Sequence, residues 1–156
     1  MRRVRLVTAG ALALAACITP PVQRDSELAV AERWSATLRP TIGFSVSGNA
    51  VVTQVSPRTA RVSISLAGST DGSLHPWDIH RGTCGDDGPV LEDPRSYVPI
   101  PIGGAGAATM QAEVPADLRQ GRSYYINVHD SPMRERIVSC GALTHVQHGV
   151  VARRTP

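Results

Sequence analysis

From residue 32 onward, apolar and polar side chains alternate with a period of two, the spacing of strands with one buried and one wetted face. Trp34, Ala36 and Leu38 alternate with Ser35, Thr37 and Arg39 until Pro40 ends the run. Ile42, Phe44 and Val46 predict a short strand, and Val51, Thr53 and Val55 predict the inward positions that follow Gly48. Ser56-Pro57-Arg58-Thr59 reads as a turn. The cleanest strand comes next, with Val62, Ile64 and Leu66 inward against Arg61, Ser63 and Ser65. Trp77 to His80 predicts a short strand after the turn Gly68 to Ser73. Gly82 to Gly104, dense in Gly, Pro and Asp, predicts a long loop pinned by Tyr97, Ile100 and Ile102. Ala108, Met110, Ala112 and Val114 give another strand, closed by Pro115, and Asp117 to Gly121 predicts a single helical turn. Tyr124 to His129 and Arg136 to Leu143 complete the set. About eight short strands without a long amphipathic helix predict an all-β fold, an antiparallel sandwich or barrel.

The first 16 residues stand outside this pattern. Met1 to Arg5 is basic, and Leu6 to Ala16 is apolar and uncharged. That run is shorter than the roughly 20 residues a membrane-spanning helix needs, and it reads as an export signal. It ends in Leu14-Ala15-Ala16-Cys17, which resembles the lipobox of bacterial lipoproteins. The resemblance implies cleavage before Cys17 and acylation of its sulfur; a plain secretory signal with a chance cysteine is the alternative. The expected organisation is a signal over 1–16, a lipidated tether over 17–31, a β domain over 32–149 and a tail over 150–156. Within the tether, Leu28 to Arg33 allows one turn of helix. The expected location is the bacterial cell envelope, with the membrane as partner through the Cys17 lipid. Ile18, rather than Asp, after the cysteine points toward outer-membrane sorting.

Losing the signal changes the charge. The 16 basic residues lose Arg2, Arg3 and Arg5, leaving 13 against 13 acidic ones. No basic footprint remains for nucleic acid. Beyond Cys17 the chain has two cysteines, Cys84 and Cys140. In an oxidising compartment such a pair is expected to close, the alternative being two separate buried thiols. The bond would close a 56-residue loop. In the chain-entropy picture that is worth about 4 kcal/mol.

Familiar catalytic signatures are missing. Gly43-Phe44-Ser45-Val46-Ser47 lacks the last glycine of a nucleophile elbow, and Gly103-Gly104-Ala105-Gly106 has neither the Lys-Ser/Thr nor the helix that cradles phosphate. Gly85-Asp86-Asp87-Gly88 lacks EF-hand spacing and reads as a solvated turn. The five histidines say more. Alternation sets Asp78 and His80 opposite Trp77 and Ile79, and sets Asn127 and His129 opposite Ile126 and Val128. If these strands are neighbours, their outer faces offer nitrogen and oxygen ligands to a metal. Otherwise they are polar side chains in ordinary hydrogen bonds.

These same residues resemble a known family. His75-Pro76-Trp77-Asp78-Ile79-His80-Arg81-Gly82-Thr83-Cys84 resembles the His-x-His…Gly-x-Cys segment of bacterial copper/zinc superoxide dismutases. Asn127-Val128-His129-Asp130 and Arg136-Ile137-Val138-Ser139-Cys140-Gly141 resemble that family's late Val-His-Glu segment and Arg-Leu-Ala-Cys-Gly strand. The Asn-Val-His piece is also similar to the CHRD (chordin-type) domain of envelope proteins. The resemblance implies a Greek-key sandwich with Cys84 bonded to Cys140, and copper held by Asp78, His80 and His129. Asp78 stands where the family's first histidine is expected, and no histidine between Gly85 and Gly106 matches the zinc ligands. His75 is a further ligand candidate, although parity turns it toward the core. Arg136 lies four residues before Cys140, one too far for the family's anion-guiding arginine. The implied function is a non-catalytic binding or structural module, with an envelope protein as candidate partner. A single-site copper or zinc protein is the alternative, and an active dismutase the third reading.

Overall fold

The structure is a computed structural model, and it describes residues 31–134 and 136–146. The signal, Cys17, the tether up to residue 30, the rest of the domain from 147 to 149 and the tail lie outside the described residues.

Among the described residues, nine strands follow in chain order: β1 (Arg33–Pro40), β2 (Ser47–Ser56), β3 (Thr59–Ala67), β4 (Leu74–His75), β5 (Trp77–Arg81), β6 (Ile100–Pro101), β7 (Ala108–Pro115), β8 (Tyr124–His129) and β9 (Ile137–His145). Seven form one antiparallel sheet in the order β5-β8-β9-β1-β2-β3-β7, while β4 and β6 pair separately. The sheet curls over its own inner face into a half-barrel, the all-β architecture expected. The inner face carries the core: Trp34 and Leu38 from β1, Val62 and Ile64 from β3, Trp77 and Ile79 from β5, and Ile126 and Val128 from β8. Each such aliphatic side chain removed from water contributes roughly 1.5–3 kcal/mol. The long loop after β5 is pinned by the buried Tyr97, Ile100 and Ile102, and Trp77 Nε1 donates to the Val98 carbonyl at 2.8 Å.

Three local expectations are corrected. Residues 42–46 form no strand: the chain turns at Ile42 and Gly43, Gly43 takes φ +85°, and Ile42 points into solvent. In β2 the inward residues are Ala50 and Val52, not Val51 and Val55. Pairing with β3 sets this, because Ala50 lies opposite Ile64 and Val52 opposite Val62. A register shift of one would turn every side chain over. Residues 117–121 contain no helical turn; Leu118 is buried as an anchor and the chain reverses at Gln120 and Gly121.

Two features position the site. β5 and β8 are direct neighbours, with Asp78 opposite Asn127 and His80 opposite Tyr125. Cys84, just beyond β5, is bonded to Cys140 of β9, with Cα atoms 6.0 Å apart. Cys140 itself lies opposite Asn127. The disulfide therefore draws the loop after β5 across the outer face of β8.

Candidate metal centre

Strand alternation sends Asp78 and His80 from β5, and Tyr125, Asn127 and His129 from β8, to the face away from the core. The sequence places that face outward, but the structure buries it. All six residues of β8 are buried, and Asp78 is 2% and His129 7% exposed. Residues of the flanking loops lie against it: Gly88 on His80, Asp86 on Tyr125 and Arg134 on Asp78.

Two imidazoles converge on one carboxylate oxygen. His80 Nε2 lies 2.7 Å from Asp78 Oδ1, and His129 Nε2 lies 3.2 Å from the same atom. The ligand atoms of the three residues lie within 4.8 Å of one another. Asp78 Oδ2 is bound by the Arg134 guanidinium, which also donates to the Pro94 carbonyl at 3.0 Å. Arg134 takes φ +57°, a left-handed backbone uncommon outside glycine.

The surroundings fix His80 tightly. Its Nδ1 donates to the Gly88 carbonyl at 2.7 Å, and its ring stacks on Tyr125 with centroids 4.9 Å apart. The Tyr125 hydroxyl donates to the Asp86 carbonyl at 2.6 Å and accepts from the Gly88 N–H at 3.2 Å. Gly88 has no room for a side chain, since a Cβ there would sit 1.8 Å from the Arg81 carbonyl oxygen. Disulfide, tyrosine and glycine together set one carbonyl against one imidazole nitrogen.

Protonation follows from these partners. Burial pushes the Asp78 carboxyl up, but hydrogen bonds from His129 and His80, with their charge, outweigh it and hold the group well below the ordinary range. Burial pulls His80 down, but its bonds to Asp78 and to the Gly88 carbonyl, with the Asp78 charge, raise it overall. An imidazole facing a carbonyl on one side and a carboxylate on the other must carry both protons. The Nε2 proton occupies the position where a metal ion would coordinate.

A metal ion suits this donor set. The Gly88 carbonyl holds the proton on Nδ1, so Nε2 is the nitrogen that coordinates once its own proton is displaced, the arrangement that orients metal-binding histidines. Two nitrogens and one carboxylate oxygen suit Zn(II) or Cu(II) better than Cu(I). His129 Nδ1 and Asn127 Oδ1 are buried without a partner among the described residues. The buried corner therefore keeps unused polar atoms beside the three donors.

The other candidates are placed as follows. Cys84 and Cys140 form the expected bond. His75 is buried away from the cluster, with its ring nitrogens bonded to the His129 carbonyl and to Ser69 and Ser73. Arg136 pairs with Asp130 at 2.6 Å and lies over the Phe44 ring at 5.1 Å. Sequence reading missed Arg134, Tyr125 and Gly88. Only Tyr125 had a signal, since it shares the parity of Asn127 and His129. Compared with models of known protein families and with characterised protein sequences, the chain has no match.

Proposed function

We propose that this is a non-catalytic binding domain of the bacterial cell envelope, lipid-anchored through Cys17, that holds one Cu(II) or Zn(II) ion at Asp78, His80 and His129. The observation that carries the reading is the convergence of His80 Nε2 and His129 Nε2 on Asp78 Oδ1, at 2.7 and 3.2 Å. The lipobox-like Leu14-Ala15-Ala16-Cys17 supports the anchor, and the oxidised Cys84–Cys140 pair is in keeping with export. The likeness of both histidine segments to copper/zinc superoxide dismutases supports a related sandwich and the same corner for the metal. Dismutation itself is disfavoured: the cycle passes through Cu(I), which a carboxylate ligand serves poorly. Fold likeness alone does not carry the activity.

Titration of the detergent-solubilised protein with Cu(II) and Zn(II) tests this. The expected result is uptake near one ion per chain, lost in His80→Ala and in His129→Ala. No uptake at micromolar metal would remove the reading, and superoxide turnover by the copper-loaded protein well above buffer would remove its non-catalytic part. A second reading rests on Arg134, whose guanidinium already neutralises Asp78. There the cluster is a metal-free pin joining β5, β8 and Arg134. Under that reading His129→Ala lowers stability while no ion binds to either protein.

A further inference from the structure

The two ends of the half-barrel differ in charge. Antiparallel pairing brings the starts of β1, β3 and β8 and the finishes of β2, β5, β7 and β9 to one end. Backbone bonds tie that end together: the Ala116 N–H donates to the Arg58 carbonyl at 3.2 Å, the Gly82 N–H to Ser123 at 3.0 Å and the Val146 N–H to Arg33 at 2.7 Å. Five exposed arginines stand on it, Arg33, Arg58, Arg81, Arg119 and Arg122. The fixed backbone holds these like charges together.

Acidic side chains offset only part of this charge. Glu32 is bonded to His145, Asp117 holds Arg119 at 2.6 Å, and Glu92 is the third acid at this end. Asp86 and Asp87 lie on the flank, in the loop drawn over β8. Among the described residues Arg33, Arg58, Arg81 and Arg122 enter no ion pair. Arg81, Arg119 and Arg122 line a cavity of about 220 Å³ over the buried Tyr124, with Glu92 and Asp117 beside them. Beyond Val146, the sequence adds Arg153 and Arg154 and no acidic side chain. At the opposite end Arg95, Arg134 and Arg136 are each paired with an aspartate, and among the described residues Arg39 alone is not.

The arginine end is also where the chain from Cys17 arrives. The Gln54 N–H donates to the Glu32 carbonyl at 2.8 Å, fixing the entry to β1, and only residues 18–31 separate Glu32 from Cys17. Fully stretched, that segment reaches roughly 45–50 Å. Strands of this length set the opposite end about 25–30 Å farther off. An acylated Cys17 therefore keeps the arginine end nearest the bilayer. We propose that this end docks on the anionic phospholipid surface of the membrane that carries the anchor, with a headgroup phosphate seated among Arg81, Arg119 and Arg122. The proposal rests on the anchor read at Cys17. Guanidinium groups meet phosphate oxygens with paired N–H donors, and each one held within a screening length of anionic lipid adds to the attraction. Docking fixes the tilt of the domain and points the His129 end of β8 away from the lipid.

The test reconstitutes the full acylated protein into vesicles of phosphatidylcholine, alone or with about one-quarter phosphatidylglycerol, and reads flotation and amide hydrogen exchange. The expected result is flotation with both vesicles, and exchange slowed at least threefold at residues 56–59 and 117–123 only where phosphatidylglycerol is present. At 1 M salt, where the screening length is about 3 Å, the difference disappears. Arg58→Gln with Arg122→Gln, both exposed, keeps the urea midpoint and Zn(II) uptake and loses at least half of the slowing. Protein that floats but exchanges alike in the two vesicles overturns the docking and leaves the anchor standing. Slowing instead around Ile42, Val98 and Met133, which are exposed at the opposite end, overturns it too. So does equal slowing by a soluble anionic polysaccharide, which would assign the arginines to a polymer. Protein that does not float with phosphatidylcholine lacks the anchor, and the reading of Cys17 and the docking fall together.

Discussion

A carboxylate as deeply buried as Asp78 stays charged only when its partners outweigh desolvation. Three cationic or proton-donating side chains do so: His80, His129 and Arg134. Removing the guanidinium separates its two roles. Arg134→Gln is expected to cost the ion-free protein about 2 kcal/mol, the scale of a hydrogen bond to a charged group, read from urea unfolding. The same change leaves Asp78 with undivided negative charge, so Zn(II) affinity should rise about tenfold by calorimetry, a gain of about 1.4 kcal/mol. Unchanged affinity would mean that Arg134 does not compete with the ion. His80 supplies the pH dependence. Its folded value is raised above 6.5, so its stabilisation of the ion-free protein is complete below the unfolded imidazole value and is lost as pH rises through the folded one. A metal must displace the same Nε2 proton, so Zn(II) affinity climbs across that window while ion-free stability declines. The stability slope should shrink in His80→Gln, as urea midpoints at several pH values will show, and the affinity slope is read from Zn(II) titrations of the unsubstituted protein. The sequence made Asp78, His80 and His129 legible because strand parity alone puts each pair on one face. It hid Arg134, which lies on an irregular loop where parity says nothing. It hid Gly88 because the interacting atom is a backbone carbonyl.

Among the elements, the legible strands were those whose two faces differ in polarity. β3 reads without ambiguity, because Val62, Ile64 and Leu66 alternate with Arg61, Ser63 and Ser65. β2 does not, since Ala50-Val51-Val52 offers apolar side chains to both faces and only pairing with β3 decides between them. The turn at Gly43 was hidden by the apparent alternation of Ile42, Phe44 and Val46, which a glycine at φ +85° interrupts. The β2 register has a direct test. Val52 is fully buried and Val55 is 40% exposed. Val52→Thr places an unpaired hydroxyl in the core and should cost about 1–3 kcal/mol. Val55→Thr should stay within about 0.5 kcal/mol, as surface changes do. Equal costs in urea unfolding would point to the opposite register.

At the scale of the whole molecule, the half-barrel has to hold its curl and also keep the loop after β5 over β8. The curl comes from the core and from β1, which pairs with β2 on one side and β9 on the other. The loop is held separately, at Cys84 by the bond to Cys140 and at Asp86 and Gly88 by the Tyr125 hydroxyl. These two anchors do different work. The disulfide restricts the unfolded chain, so Cys84→Ser with Cys140→Ser should lower stability by about 4 kcal/mol, the closure entropy of a loop this long. Tyr125 holds the Gly88 carbonyl at His80 in the folded state, so Tyr125→Phe alone should weaken Zn(II) binding with little change in loop closure. In the protein lacking the disulfide, the tyrosine is the last tie on the Gly88 carbonyl. The loss of affinity from Tyr125→Phe should then be larger than in the disulfide-bonded protein. A double-mutant cycle on Zn(II) affinity measures this coupling. Strict additivity would mean that the loop keeps its place over β8 without either anchor, and that the orientation of His80 is set within β5 itself.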